Sequence, residues 1–264
     1  MKRYNPPQIA NYVLLLLFLI IIVRVSVSEG ACVKCHDMPE HYVNNGSSCT
    51  DCHSGIGNTT RQEIAHYRII RGIYSYYSLG NNKHTQEGAR IIERFSCRRC
   101  HVINNDGSNL ASNLDMSVKR LISEEIADAI KMPNLQMPDF RLPQSGIDCL
   151  VNALLQYSRI NPASNMVEIV QLGENKEAEL FQVKCGGCHI MLSRNGTLGK
   201  RQLAPFLSGI NKKYYPKVDN RAWSRVMLSD WLDNPRKIKP FAVMPVIKLN
   251  VEEKETLLDL IWGK

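Results

Sequence analysis

Cys97-Arg98-Arg99-Cys100-His101 is a five-residue stretch with three further copies in the chain: Cys32-Val33-Lys34-Cys35-His36, Cys49-Thr50-Asp51-Cys52-His53 and Cys185-Gly186-Gly187-Cys188-His189. Each copy reads C-x-x-C-H, the attachment spacing for c-type heme. Two thiols three positions apart can add to the two vinyl groups of one porphyrin, and the adjacent imidazole then falls beneath the iron. One copy alone would fit a zinc-binding pair or a redox dithiol equally well. Nine cysteines and seven histidines in 264 residues supply only about 0.01 copies by chance. The four copies take eight of the nine cysteines and four of the seven histidines. Four covalent heme c groups are therefore expected, and a fold built around them.

The rest of the composition is read in that light. Motif cysteines committed to thioethers leave no pair for a disulfide, so the cysteine content does not mark a disulfide scaffold. Covalent heme attachment takes place outside the cytoplasm, so the chain is expected to be exported. The formal charge of +8 invites a nucleic-acid reading. Eight heme propionates contribute about −8 when ionised, which removes the excess and with it that reading.

Lys2 and Arg3 precede an uninterrupted apolar run from Val13 to Val23. This is an export signal with its positive end in the cytoplasm. Ser26-Val27-Ser28 offers small residues for cleavage, whereas Arg24 argues against it. Counted from Ile9 to Val27 the stretch is nineteen residues, enough for a thin span. Residues 1–28 are expected to remain as an anchor in a bacterial inner membrane. The N-terminus would be cytoplasmic and the heme-bearing part periplasmic.

Residues 29–83 read as a compact diheme module. His36 and Cys49 are thirteen positions apart, too close for two independent cytochrome domains, so the first two hemes should lie near each other. Helix signals are weak here apart from Arg61 to Arg71, and the porphyrins are expected to serve as the core. Second axial ligands for these irons must come from Met38, His41, His66 or His84, or from another chain. Tyr74, Tyr76 and Tyr77 are expected on porphyrin edges.

An anchor, then Cys32-x-x-Cys35-His36-x-Met38-Pro39, then a second C-x-x-C-H soon after, resembles the start of the membrane-anchored quinol dehydrogenase cytochromes of nitrite and nitrate reductase systems. The resemblance covers about sixty residues. It implies that Met38, the matching position, ligates the first heme beside a quinol site. The gap between motifs is shorter here, and the surroundings of hemes three and four differ from that family.

Residues 84–160 and 161–264 read as two tandem domains on one plan. In the first, Gly88, Ile91, Ile92 and Phe95 form a helical face running into Cys97. Met137-Pro138-Asp139-Phe140 places a methionine in a constrained turn, with Met132 as a rival. Ser145 and Asp148 have capping-box spacing at the head of a helix whose apolar face is Ile147, Leu150, Val151, Leu154 and Leu155. Cys149 is expected to be a buried small apolar residue of that helix. In the second domain Leu180-Phe181 precede Cys185, Met244-Pro245 supplies the methionine, and a helix from Val251 to Trp262 closes the chain behind an Asn250/Glu253 cap. A helix through Trp223, Met227 and Trp231 should stop at Asn234-Pro235, and Met191 and Met227 belong to the core. The order Gly-x6-Phe, C-x-x-C-H, Met-Pro, amphipathic helix resembles class I cytochrome c, as does Ala204-Pro205-x-Leu207-x-Gly209 after the second histidine. That resemblance implies axial pairs His101/Met137 and His189/Met244. Thioether ligation raises the iron potential, which suits an electron carrier.

The second domain also carries a basic insertion. Between Arg194 and Lys239 stand eleven Lys or Arg against Asp219, Asp230 and Asp233. Such a face is either solvated or a docking surface for an acidic electron partner.

The expected fold is mainly α with much irregular structure: a membrane helix, a diheme segment and two small class I cytochrome c domains. The expected role is a non-catalytic, tetraheme electron-transfer subunit, with His36, His53, His101 and His189 on the irons. A membrane quinol-oxidising subunit such as a cytochrome b would supply electrons, and a soluble periplasmic cytochrome would accept them. The alternative is a heme enzyme, a peroxidase or oxyanion reductase, using an open iron at heme one or two.

Overall fold

The computed structural model describes residues 30–37, 48–80, 82–134, 137–160, 176–193, 196–201 and 203–263. The expected anchor over residues 1–28, and with it Met38 and His41, lies outside the described residues. Among the described residues no helix is long and apolar enough to cross a membrane. The described residues are about half helical with four short strands, and the chain divides into two compact units, 1–70 and 71–264.

The first unit holds little regular structure. A single 3-10 turn, Ala31–Lys34, carries the first motif, and helix α1 (Cys49–His53) is the second motif itself. Ser48 caps α1: its hydroxyl accepts from the Thr50 N–H, and Asp51 reaches back to the Ser48 N–H at 2.8 Å. Helix α2 (Gln62–Ala65) is one turn long and ends at His66, well short of the helix expected to Arg71. Arg68 at φ 55° turns the chain out of the helical path. None of the described residues of this unit is buried. Val33, Ile56, Ile64 and Tyr67 are all exposed. The described residues of this unit therefore supply no apolar core of their own to offset the entropy of ordering.

The second unit begins at Arg71, ahead of the boundary expected at residue 84. The reason is packing. A 3-10 segment, Gly72–Leu79, lies on helix α6 (Gln144–Ile160), with Tyr74 and Tyr77 buried. Asn152 donates to the Ile73 carbonyl at 2.9 Å. Burial, with Asp148 beside it, pushes the Tyr74 phenol up to about 12. Helix α3 (Lys83–Arg94) also packs on α6, crossing at Gly88, where an added Cβ would stand 2.0 Å from the Cys149 carbonyl oxygen. Ile91, Ile92, Ile147, Val151 and Leu154 fill this interface, as their helical spacing predicts. The expected Ser145 cap is not formed. Helix α6 starts at Gln144, and the N–H groups of Gly146 and Ile147 bond the Pro143 carbonyl.

Between these helices run the strands β1 (Val102–Ile103) and β2 (Asp106–Gly107), then α4 (Leu114–Arg120) and α5 (Ser123–Lys131). Asn104 and Asn105, both at positive φ, make the two-residue turn between the strands. Buried Asp115 accepts from both of their N–H groups at 2.8 Å.

The remaining elements are α7 (Lys176–Lys184), the hairpin β3 (Met191–Ser193) and β4 (Gly196–Leu198), α8 (Arg225–Asp233), α9 (Pro235–Ile238) and α10 (Val251–Trp262). Asn250 and Glu253 form the capping box of α10, and Asn234 ends α8 with Pro235 opening α9. Phe181, Met191, Leu228, Leu232, Leu257 and Leu258 are the centre of a core that includes Cys185. Phe181 is the largest of its fully buried side chains, and truncating such a residue costs about 3–5 kcal/mol.

Candidate cofactor-attachment sites

Every motif folds as a single helical turn. The histidine N–H bonds the first cysteine's carbonyl at 3.0 Å in the first and third motifs and 2.9 Å in the fourth, and the second motif is α1. One turn places the two cysteines on one face with the histidine just beyond. None of the nine cysteines is in a disulfide. Burial pushes the Cys97 and Cys185 thiols up to about 11 and raises Cys100 as well. The Cys49 thiol is raised by burial and by Cys32 alongside it, so the first two motifs meet through their leading cysteines.

The histidines are aimed from behind. Nδ1 of His53 lies 2.9 Å from the Ile70 carbonyl oxygen, that of His101 is 2.7 Å from the Ser112 oxygen, and that of His189 is 2.8 Å from the Pro205 oxygen. A carbonyl only accepts, so Nδ1 carries the proton and donates in each case. Nε2 then keeps its lone pair for a metal. Burial holds the His101 imidazole below the ordinary histidine range, against the opposing effect of the Ser112 carbonyl. Two thiols and one imidazole in each turn, the imidazole oriented by a backbone carbonyl at His53, His101 and His189, are the donor set that a c-type heme requires, so the residues present fit the group. Among the described residues, no cluster of three or more His, Cys, Asp or Glu is arranged to hold a bare metal ion.

The turns after the third and fourth motifs use the same backbone bonds. The Cys100 carbonyl accepts from the Leu110 and Ala111 N–H groups, and the Cys188 carbonyl from those of Leu203 and Ala204, all at 2.9–3.0 Å. Gly107 and Gly199 pass so close to the histidine carbonyls that a Cβ would lie 2.1 Å from the oxygen in either place. Leu110-Ala111-Ser112-Asn113-Leu114 and Leu203-Ala204-Pro205-Phe206-Leu207 thus occupy equivalent positions. This repeat, and Ser112 as the partner of His101, escaped the sequence reading, although the shared Leu-Ala-x-x-Leu is visible in the letters.

The methionines differ. Met137 is half-buried in a loop brought back over α3 by Phe140, whose ring meets that of Phe95 edge-on at 5.3 Å. The rival Met132 ends α5 and is 67% exposed. Met244 packs on the core that contains Cys185, and its sulfur accepts from the Trp231 indole N–H at 3.0 Å.

Of the ligand candidates for the first two irons, His66 stands with its ring centroid 5.9 Å from that of His36. His84 is occupied within the second unit. Its ring stacks on Tyr76 at 4.4 Å, and Nδ1 lies 3.7 Å from the sulfur of Cys149. Cys149 is half-buried, and burial raises its thiol pKa.

Arg99, inside the third motif, joins the two halves of the second unit. Its guanidinium donates to the Phe206 carbonyl and lies 4.5 Å from the centre of the Tyr215 ring. Asp106 on β2 accepts from Tyr214 and pairs with Lys213 at 3.0 Å. The segments that hold His101 and His189 therefore share one interface. Part of the basic insertion is used internally: Lys213 faces Asp106, and Arg225 pairs with Glu255 and Asp259 at 2.7 and 2.9 Å. The chain matches no family model, no curated protein and no solved structure.

Proposed function

We propose that this chain is a tetraheme c-type cytochrome carrying electrons from a membrane quinol pool, through a membrane partner, to a periplasmic acceptor. The observation that carries the reading is the set of histidines in C-x-x-C-H turns whose Nδ1 is tied to a backbone carbonyl, seen at His53, His101 and His189. Attached heme supplies a one-electron iron couple; the chain's own residues hold it, orient its ligand and limit water access. The contact of Cys32 with Cys49, and the interface of Arg99 with Phe206 and Tyr215, keep successive sites close within each unit.

An exit face follows from exposure. Phe241 and Val243, beside Met244, are 91% and 96% exposed, and Arg236, Lys237 and Lys239 next to them are open as well. An apolar spot ringed by cations suits brief docking of an acidic redox partner. The test is reduction of the membrane-bound chain by a menaquinol analogue, with and without a quinol-oxidising membrane subunit. Reduction that depends on that subunit is expected. Peroxide or oxyanion turnover by the isolated chain would instead favour the enzyme reading.

A further inference from the structure

We propose that His66 is the second axial ligand of the first heme, opposite His36, an assignment that rests on the tetraheme reading above. The two rings have centroids 5.9 Å apart and planes tilted by 45°. Imidazoles bound to one metal from opposite sides, with metal–nitrogen bonds of about 2 Å and a ring radius of about 1 Å, stand with centroids roughly 6 Å apart. Rings in direct contact come closer in this structure, at 4.4 Å in the flat stack of His84 on Tyr76 and at 5.3 Å in the edge-on contact of Phe95 with Phe140. His36 and His66 therefore have the separation of an axial pair.

The backbone holds that separation. The Ala31 N–H bonds the Gly57 carbonyl at 2.8 Å, which ties the first motif to the loop after α1. The neighbouring Ile56 N–H bonds the Ala65 carbonyl at 3.0 Å, which ties α2 and its terminal His66 to the same loop. Gly55 makes this approach feasible: it sits at φ +77°, and a Cβ there would lie 2.6 Å from the Ala65 oxygen. Adjacent residues 56 and 57 thus fix the two histidine turns relative to each other. The other described candidate, His84, is stacked on Tyr76 and faces Cys149.

The consequence is a closed first iron with two nitrogen ligands. Histidine–methionine irons have higher potentials than histidine–histidine ones. Electrons entering at heme one would then run downhill to hemes three and four. A closed iron also has no position for a substrate, so the first heme relays electrons and does no bond chemistry.

The experiment uses the full-length, heme-loaded chain, with heme number read by mass before any spectrum. Fewer than four hemes in the unmodified protein would fail the tetraheme reading itself, a separate outcome from failure of this assignment. With four present, His66→Ala should turn one iron in four from low to high spin in electron paramagnetic resonance, and added imidazole should restore it. His66→Met should add one thioether–iron charge-transfer band and raise one potential. In a Cys32→Ser/Cys35→Ser background, carrying three hemes, His66→Ala should change nothing further. A new high-spin iron in that background would move His66 to the second heme. Four low-spin irons in the single His66→Ala variant would remove it from the irons altogether. Either result overturns the proposal.

Discussion

The third and fourth motifs share the backbone bonds that hold their cysteines and histidines, yet the chain leaves them along different paths. In the first half it goes straight into α4 and α5, and buried Asp115 pins the hairpin tip. In the second, it instead runs through a loop with Lys212, Lys213 and Tyr214 that docks on the first half. The inner frame, which positions the histidine, is held by glycine approaches and backbone carbonyls. The outer wall, which carries the methionine, is held by side chains. Geometry demanded by a histidine tolerates little change, whereas the surrounding wall can diverge.

The glycines put that comparison under the greatest strain. Gly107→Ala and Gly199→Ala should each cost several kcal/mol, because a positive φ is combined with a clash against backbone. Each should lower the unfolding temperature and reduce heme loading. Gly196→Ala is the control: its φ is +118°, but open space surrounds it, so its effect should be smaller. Equal effects at Gly196 and Gly199 would break the claim of a shared inner frame.

Next come the methionines. Met137→Ala and Met244→Ala should each abolish one thioether–iron band and lower one potential, and survival of both bands would refute the assignment. Trp231→Phe removes the N–H held on the Met244 sulfur, so it should shift the potential of the fourth heme alone.

Arg99→Ala acts on the seam between the halves. It removes a charged donor from the Phe206 carbonyl and a stacking partner from Tyr215, a loss of about 1–3 kcal/mol. Calorimetry should show one unfolding transition for the unit in the unmodified chain and a broadened or split one in the variant.

Asp106 gives the smallest effect. A hydrogen bond from Tyr214, reinforced by Lys213, holds its carboxyl below the usual carboxylate range. Its folded pKa is depressed, so its contribution is complete above the unfolded value and fades as pH falls through the folded one. Asp106→Asn should flatten that part of the acid unfolding curve, and an unchanged curve would show that the clasp contributes nothing.

Much of this was legible in the sequence where one residue type has one physical use. The four motifs, the Asn250/Glu253 cap, the stop at Asn234-Pro235 and the α3 face of Gly88, Ile91 and Ile92 all come from local rules. The partner carbonyls of Ile70 and Ser112 were not legible, because any residue can present a carbonyl and only the fold chooses which. His66 was legible as a candidate, but its helix was overestimated: apolar spacing from Arg61 to Arg71 does not report the left-handed Arg68. The start of the second unit at Arg71 depends on Tyr74, Tyr77 and the Ile73 carbonyl finding α6, with its Asn152, about seventy residues later, a pairing with no local signal. The basic insertion read as one surface, whereas Lys213 and Arg225 are partly spent on internal ion pairs.

The central claim is covalent loading, and mass spectrometry of the mature chain under denaturing conditions tests it most directly. The account predicts the mass of the polypeptide plus four heme groups, with one thiol, Cys149, left open to alkylation. A chain with three hemes or fewer, or with several more alkylatable thiols, would contradict it.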